Sequence, residues 1–279
     1  METGESIFMF TNKILKFPHK SILTSAMLKE VYEYPREFIQ LMYKDYSDGI
    51  ICGLDYSVTD GDLILSAGIF KLYEEFYFLN EDLNISELAE KNSLEEDNKI
   101  YNICLEKKTV NKEICLTENN FFVTFSEENK FPTLGSFIFT GRKNFNLPKL
   151  TDGDNPFKDI FRRSRFNLLD IPASDKSEAT FHSLLFDLVT EFLLTKKNKT
   201  PFDYSILVQL QNQRAISLQT IKAYIVEENG TFNFQGRADL FKNFCKTLIC
   251  SEFKVTTAQV AEQEKQSIFQ RHDPLGRRI

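Results

Sequence analysis

The sequence predicts an α+β protein in which an N-terminal antiparallel β-sandwich or barrel-like domain is followed by an α-helical bundle. Three observations carry this. Between about residues 46 and 150, short runs alternate apolar and polar side chains and are separated by turn sequences. Beyond residue 160 the apolar spacing changes to i, i+3, i+4, i+7, the period of an amphipathic helix. The stretch Leu150-Thr151-Asp152-Gly153-Asp154-Asn155-Pro156, rich in turn formers, separates the two regimes. The 279 residues therefore divide into a helical leader over 1–45, a β-rich domain over 46–150, a helical bundle over 160–255 and a flexible tail over 256–279.

In the leader, Ile22, Leu23, Met27, Leu28 and Val31 precede Pro35, which predicts two short helices with the break at the proline. The period becomes two at Gly49–Val58. Asp60-Gly61 between apolar runs is a strong hairpin signal, and Leu63–Ser66 and Ile69–Leu72 follow as strands. A second turn over Tyr73-Glu74-Glu75 leads into Phe76–Leu79. The acidic stretch Glu81–Asn98 reads as an exposed helix or loop. Further short strands are predicted at Ile100–Leu105, Glu113–Thr117, Phe121–Phe125 and Ser136–Thr140, with a turn at Glu118-Asn119-Asn120.

In the C-terminal half, Phe181, Leu184, Leu185, Leu188, Val189, Phe192 and Leu193 trace three helical turns, with Asp175 and Glu178 before them and Lys196, Lys197 and Lys199 after. Thr200-Pro201-Phe202-Asp203 predicts an N-cap, a first-turn proline and a capping box for the next helix. A third helix starts at Ser217 and ends before Asn229-Gly230. A fourth, from about Arg237, would bury Leu240, Phe241, Phe244, Leu248 and Ile249.

The composition fits a folded chain, with 42% hydrophobic and 27% charged residues; 27 Phe against no Trp point to Phe-packed cores. A net charge of −6 counts against broad nucleic-acid or anionic-membrane binding. The basic runs Arg162-Arg163-Ser164-Arg165 and Lys196-Lys197-Asn198-Lys199 read as solvated loops. The five cysteines lack CxxC spacing and read as reduced thiols. The first residues lack the pattern of a secretory signal, and no apolar run reaches the ~18 residues of a membrane span. A cytoplasmic protein, possible as part of an assembled particle, is expected.

The chemistry-bearing patterns are few. The three histidines, His19, His182 and His272, have no metal-ligand spacing, and His182 reads as a helix-surface residue. Neither the nucleophile elbow nor a phosphate-binding glycine loop occurs. Asp152 and Asp154 open like a calcium loop, but Asn155-Pro156 and the missing later Glu break the pattern. No catalytic, cofactor-binding or metal residue is expected, and the chain is expected not to be an enzyme. Residues 203–226 have the outline of a helix-turn-helix, with Ser217, Gln219, Thr220 and Lys222 on the groove side, which gives the alternative of a DNA-binding regulator.

Tyr46–Val58 followed by Gly61–Phe70 resembles the N-terminal β-domain of phage tail and baseplate proteins: a Gly-led strand passes through a turn into a second strand that holds a glycine. The order of a β-rich part and a helical bundle over 46–250 is similar to the type VI secretion baseplate adaptor (TssK-like), without its head domain. The resemblance implies a structural subunit of a phage-tail-like or contractile injection baseplate. Such a subunit would form homo-oligomers, trimers by analogy, and would hold neighbouring subunits through its helical half.

The tail supplies the candidate interaction residues. Phe269, Leu275 and Ile279 are spaced too widely to pack on their own domain, and Arg271, Arg277 and Arg278 lie among them. Such a segment frays when free. It is expected to order when docked on a neighbouring subunit, where the acidic Glu81–Asp97 segment of another copy is a candidate surface.

Overall fold

Asp60 and Gly61, both at positive φ (53° and 86°), close the hairpin that the Asp-Gly pair predicts. It joins β2 (Tyr56–Thr59) to β3 (Asp62–Leu65), with Thr59 opposite Asp62. Two positive φ values twist the turn with the right hand for the strands it joins. Tyr73 and Glu74 do the same at φ 50° and 64° without a glycine, between Leu72 and Glu75. In this computed structural model, residues 24–94, 99–113, 116–128, 132–141, 145–176, 178–229 and 233–250 are described. They belong to two units, residues 1–44 and 45–279.

The first unit holds α1 (Ser25–Met42), whose N-cap Thr24 accepts a hydrogen bond from the Met27 amide. Pro35 lies inside this helix, so the two short helices expected on either side of it are one. Proline removes one hydrogen bond to the carbonyl four residues back, a local loss the remaining turns accommodate.

In the second unit, β1 (Gly49–Gly53), β4 (Gly68–Leu72) and β5 (Glu75–Leu79) form one antiparallel sheet in the order β1-β4-β5. β3 pairs with β2 on one side and with β6 (Leu83–Asn84) on the other in a second sheet, so the β2–β3 hairpin is inserted in the chain between β1 and β4. The insertion depends on Gly53 facing Gly68. A Cβ on Gly53 would meet the Ala67 carbonyl at 2.2 Å, and one on Gly68 the Cys52 carbonyl at 2.6 Å. The acidic stretch beyond holds α2 (Ile85–Lys91), which buries Ile85, Ser86 and Ala89 rather than standing clear of the body. β7 (Ile100–Glu113) and β8 (Leu116–Ser126) form one long hairpin, with β9 (Thr133–Ile138) on the other side of β7. The predicted turn Glu118-Asn119-Asn120 is instead paired strand, opposite Val110 to Lys108. The strands thus form three small antiparallel sheets, and no barrel closes among the described residues.

The helices follow the sequence pattern closely. α3 (Ser183–Thr195) buries Leu185, Phe186, Val189, Phe192 and Leu193. α4 (Pro201–Gln213) starts with the predicted capping box of Thr200 and Asp203. α5 (Leu218–Asn229) is capped by the Ser217 hydroxyl, which accepts from the Thr220 amide. α6, over 237–250, buries Leu240, Phe241, Phe244 and Leu248. The turn at 151–156 is closed by the Thr151 amide on the Pro156 carbonyl, and Phe157 directly after it is buried against Phe192.

Strands and helices of the second unit share one core, running from Ile50 to Leu248. The extended segment 172–175 lies along β1, with the Ile50 amide on the Pro172 carbonyl at 2.9 Å and the Ser174 amide on the Ile50 carbonyl at 2.8 Å. Arg237 holds the residues on either side of this segment. Its guanidinium donates to the carbonyls of Leu169, Ala179, Ile171 and Thr180 and lies over the Phe181 ring at 4.7 Å. Burial pulls its pKa below the ordinary arginine value.

Lys196 corrects the reading of its basic run as a solvated loop. Its ammonium is buried and pairs with the equally buried Asp203 at 2.8 Å, and it also donates to the Leu248 carbonyl at 2.9 Å. Lys196→Met strands the Asp203 carboxylate, and a cost of about 3–5 kcal/mol is expected in urea unfolding. The double variant Lys196→Met/Asp203→Asn removes that charge and is expected to be the more stable of the two. A double variant no more stable than Lys196→Met would show that the stranded carboxylate is not the source of the loss.

Candidate functional site

Among the described helices, α1 exposes the most large apolar side chains. At 100° per residue, Met27, Leu28, Val31, Tyr32, Tyr34, Pro35, Phe38, Ile39 and Met42 fill one half of its circumference. Lys29, Glu33, Arg36, Glu37 and Gln40 fill the other. Leu28, Val31, Tyr32, Phe38, Leu41 and Met42 are each between 46% and 73% exposed. On the polar half, Lys29 pairs with Glu33 at 3.7 Å, and Arg36 donates to the Tyr32 hydroxyl at 3.2 Å. Reading Pro35 as a break hid this continuous stripe.

The helix-turn-helix outline has a structural counterpart: α4 ends at Arg214 in the left-handed region (φ 50°), and α5 follows three residues later. Three of the four residues expected to face a groove are engaged elsewhere. The Ser217 and Thr220 hydroxyls pair at 2.9 Å, while Lys222 pairs with Glu178 at 3.0 Å and lies over the Phe234 ring. Gln219 is exposed, and Val226 and Glu227 are exposed further along the same helix.

His182, expected on a helix surface, is buried and caps α3, its Nδ1 accepting from the Leu184 amide at 3.2 Å. That bond leaves the proton on Nε2, which faces the Leu54 carbonyl at 3.1 Å. The neighbouring Ser183 hydroxyl donates to Asp55 at 2.6 Å, and Arg214 bridges Asp55 (3.2 Å) and Asp187 (2.6 Å). Although Ser, His and Asp stand together here, both imidazole nitrogens are committed to backbone groups. The histidine is therefore not placed to accept the serine proton, as a nucleophile-base pair requires. The network fastens the start of α3 and the end of α4 to the strand residues around Asp55.

The other basic run, Arg162-Arg163-Ser164-Arg165, borders a pocket of about 230 Å3. Its lining includes Ile100, Phe137, Ile138, Ile160, Phe161, Leu169 and Ala238, together with Ser136 and Asn167. Asp159, fully buried in the 3-10 turn Lys158–Phe161, holds two of the three arginines. The Arg165 Nε lies 2.9 Å from one of its carboxylate oxygens and 3.0 Å from the other, and Arg162 lies at 3.5 Å. This run is thus not simply a solvated loop: Arg165 is only 19% exposed.

The tail residues Phe269, Arg271, Leu275, Arg277, Arg278 and Ile279 lie outside the described residues. Among the described residues, no group of three His, Cys, Asp or Glu side chains could hold a metal ion, and no helix is long and apolar enough to cross a membrane.

Burial holds the His182 pKa below its ordinary value, against the opposing pull of the Leu54 carbonyl, Asp55 and Asp187 and with that of Arg214. The unfolded chain therefore takes up this proton first as pH falls. The stability that neutral His182 contributes is complete above about pH 6.5 and is lost as pH falls towards and through the folded value. His182→Asn keeps an acceptor for the Leu184 amide and has no such proton. The drop in Tm between pH 7.5 and 5.5 is expected to be smaller in the variant, and an equal drop would remove His182 as a source of the acid sensitivity.

In comparisons with known proteins, no family model, curated protein or solved structure matches the chain. Its function is therefore argued from its own geometry.

Proposed function

We propose that this protein is a structural subunit that works by protein–protein docking and homo-oligomerisation rather than by catalysis. The observation that carries the reading is the α1 stripe, where one half of an 18-residue helix is apolar and its large side chains are exposed. Isolated exposed apolar residues are ordinary, but a contiguous helical face marks an interaction surface. The polar half carries both signs of charge, with Lys29 and Arg36 against Glu33 and Glu37, unlike the basic face that suits an anionic membrane. A helix face that is apolar along its whole length is complementary to copies of itself, so the occupant we propose is α1 of a second and third copy.

The assembly we propose is a phage-tail-like or contractile injection baseplate, with the β-rich half as a sandwich-like shoulder and the helical half as a bundle that holds neighbours. The Gly-led strands of residues 46–70 support this, as does the run of strands β1 to β9, with α2 among them, ahead of helices α3 to α6. Leu194, Tyr204 and Val208, exposed on α3 and α4, give the helical half a smaller apolar surface of its own. The DNA-regulator reading draws less support, because Lys222, Ser217 and Thr220 are committed within the protein.

Native mass spectrometry and analytical ultracentrifugation test this. The full chain is expected to be a homo-oligomer, a trimer by analogy, and Val31→Asp/Phe38→Asp is expected to be a monomer. Because both positions are exposed, the substitutions should change unfolding of the rest of the chain by no more than about 0.5 kcal/mol. A wild-type monomer at high concentration, or a variant that assembles equally well, overturns the reading.

A further inference from the structure

The arginine-rimmed pocket is independent of the α1 surface, and its chemistry points to a ligand. Arg162, Arg163 and Arg165 bring three positive charges to one rim, and Asp159 is their one acidic partner among the described residues. The surplus is unusual on a chain of net charge −6. Asp159 contacts Arg165 through Nε, which fixes the plane of the guanidinium and leaves its two Nη groups without a partner among the described residues. Arg163 is exposed and has no partner among the described residues. The rest of the lining is mostly apolar, with Phe137, Phe161 and Ile160 among its residues beside the polar Ser136 and Asn167.

We propose that this pocket binds a carboxylate attached to a compact apolar body of about one aromatic ring, with the ring inside and the carboxylate on Arg163 and Arg165. A planar guanidinium with two free Nη groups matches the two oxygens of a carboxylate. The mostly apolar lining rewards burial of a hydrocarbon body, which a bare inorganic anion or a nucleic-acid phosphate does not have. A volume of about 230 Å3 accommodates a body of about one aromatic ring. Two sources supply this chemistry, a small free aromatic acid and the C-terminal residue of a polypeptide, since chain ends are recognised through their carboxylate.

Calorimetric titration of the full chain distinguishes them. The probes are phenylacetate, an N-acetylated tripeptide ending in Phe as the free acid, the same peptide as its C-terminal amide, and inorganic phosphate. At least one carboxylate probe is expected to bind with a Kd on the order of 1 mM or tighter, as suits so few contact atoms. Tighter binding of the free-acid peptide than of phenylacetate assigns the site to a polypeptide end; the reverse or equal affinity assigns it to a free acid. Ala238→Phe, which fills the pocket from an exposed lining position, is expected to weaken binding about tenfold. Arg163→Gln, at an exposed side chain, is expected to weaken it severalfold. Absence of saturable binding by either carboxylate, equal binding of acid and amide, displacement by equimolar phosphate, or indifference to both substitutions overturns the proposal.

Discussion

The helical half of the protein depends on a single buried ion pair, Lys196 with Asp203. Two charges removed from water are stabilising only when their remaining hydrogen-bonding capacity is met. Here Asp203 accepts from Lys196 (2.8 Å), from the Thr200 amide (2.7 Å) and from the Tyr224 hydroxyl (3.0 Å), while Lys196 also reaches the Leu248 carbonyl. One carboxylate thus closes the capping box of α4 and ties it to the end of α3 and to α5, and the lysine adds α6. Apolar helix faces slide over one another at small cost, because hydrophobic contact is non-directional. A polar cluster met by four helices has one arrangement in which every partner is satisfied, and that selects the packing register.

The local chemistry of these elements was legible in the sequence wherever it is short-range. The Thr200-Pro201-Phe202-Asp203 cap, the Asp60-Gly61 turn and the apolar spacing of α3 and α6 each act within a few residues, so their patterns survive folding. What escaped reading was set by distant partners. Lys196 looks like a C-terminal helix cation because the sequence does not show that Asp203 and Leu248 converge on it. His182 looks like a surface residue because its Nε2 partner, Leu54, is 128 positions away. Glu118-Asn119-Asn120 carries turn residues, yet pairing with β7 across a long hairpin overrides their preference. Of the candidate interaction residues none falls among the described ones, and the two surfaces that emerged were hidden by Pro35 in one case and by the neutral look of an arginine run in the other.

Between the strands and the helices the phenylalanines do what the composition suggested. Phe166 stacks near Phe137 and lies 4.5 Å from Tyr56, whose hydroxyl donates to the Leu134 carbonyl at 2.6 Å. The contact requires a bare backbone at Gly135 (φ +147°), where a Cβ would meet the Phe166 ring at 2.3 Å. Phe181 continues the aromatic packing to Phe241, and Arg237 covers it while holding four carbonyls of the segment before α3. That segment has little regular structure, and its backbone groups find partners in β1 on one side and in a guanidinium on the other. An arginine is suited to the task, since its fork of donors satisfies several carbonyls at once and its flat face stacks on a ring.

The same accounting separates surfaces that are merely uncovered from surfaces awaiting a partner. Phe202 is 42% exposed, yet its ring packs edge-on against the buried Tyr224 at 6.0 Å, so part of its surface already has a partner. Val58 and Phe78 are exposed singly on strands, as folded proteins routinely allow. The α1 stripe differs in kind, because six large side chains on one helix are exposed together and polar residues are confined to the opposite half. Helices of this length gain most of their stability from burial of the apolar face rather than from intrinsic propensity. A helix that also contains Pro35 has lost part of its own hydrogen bonding, which makes it still more dependent on contact. The proline therefore bears on the proposal of a covered face: it weakens the helix in isolation, so burial of the apolar half would be the larger contribution to holding it in one piece.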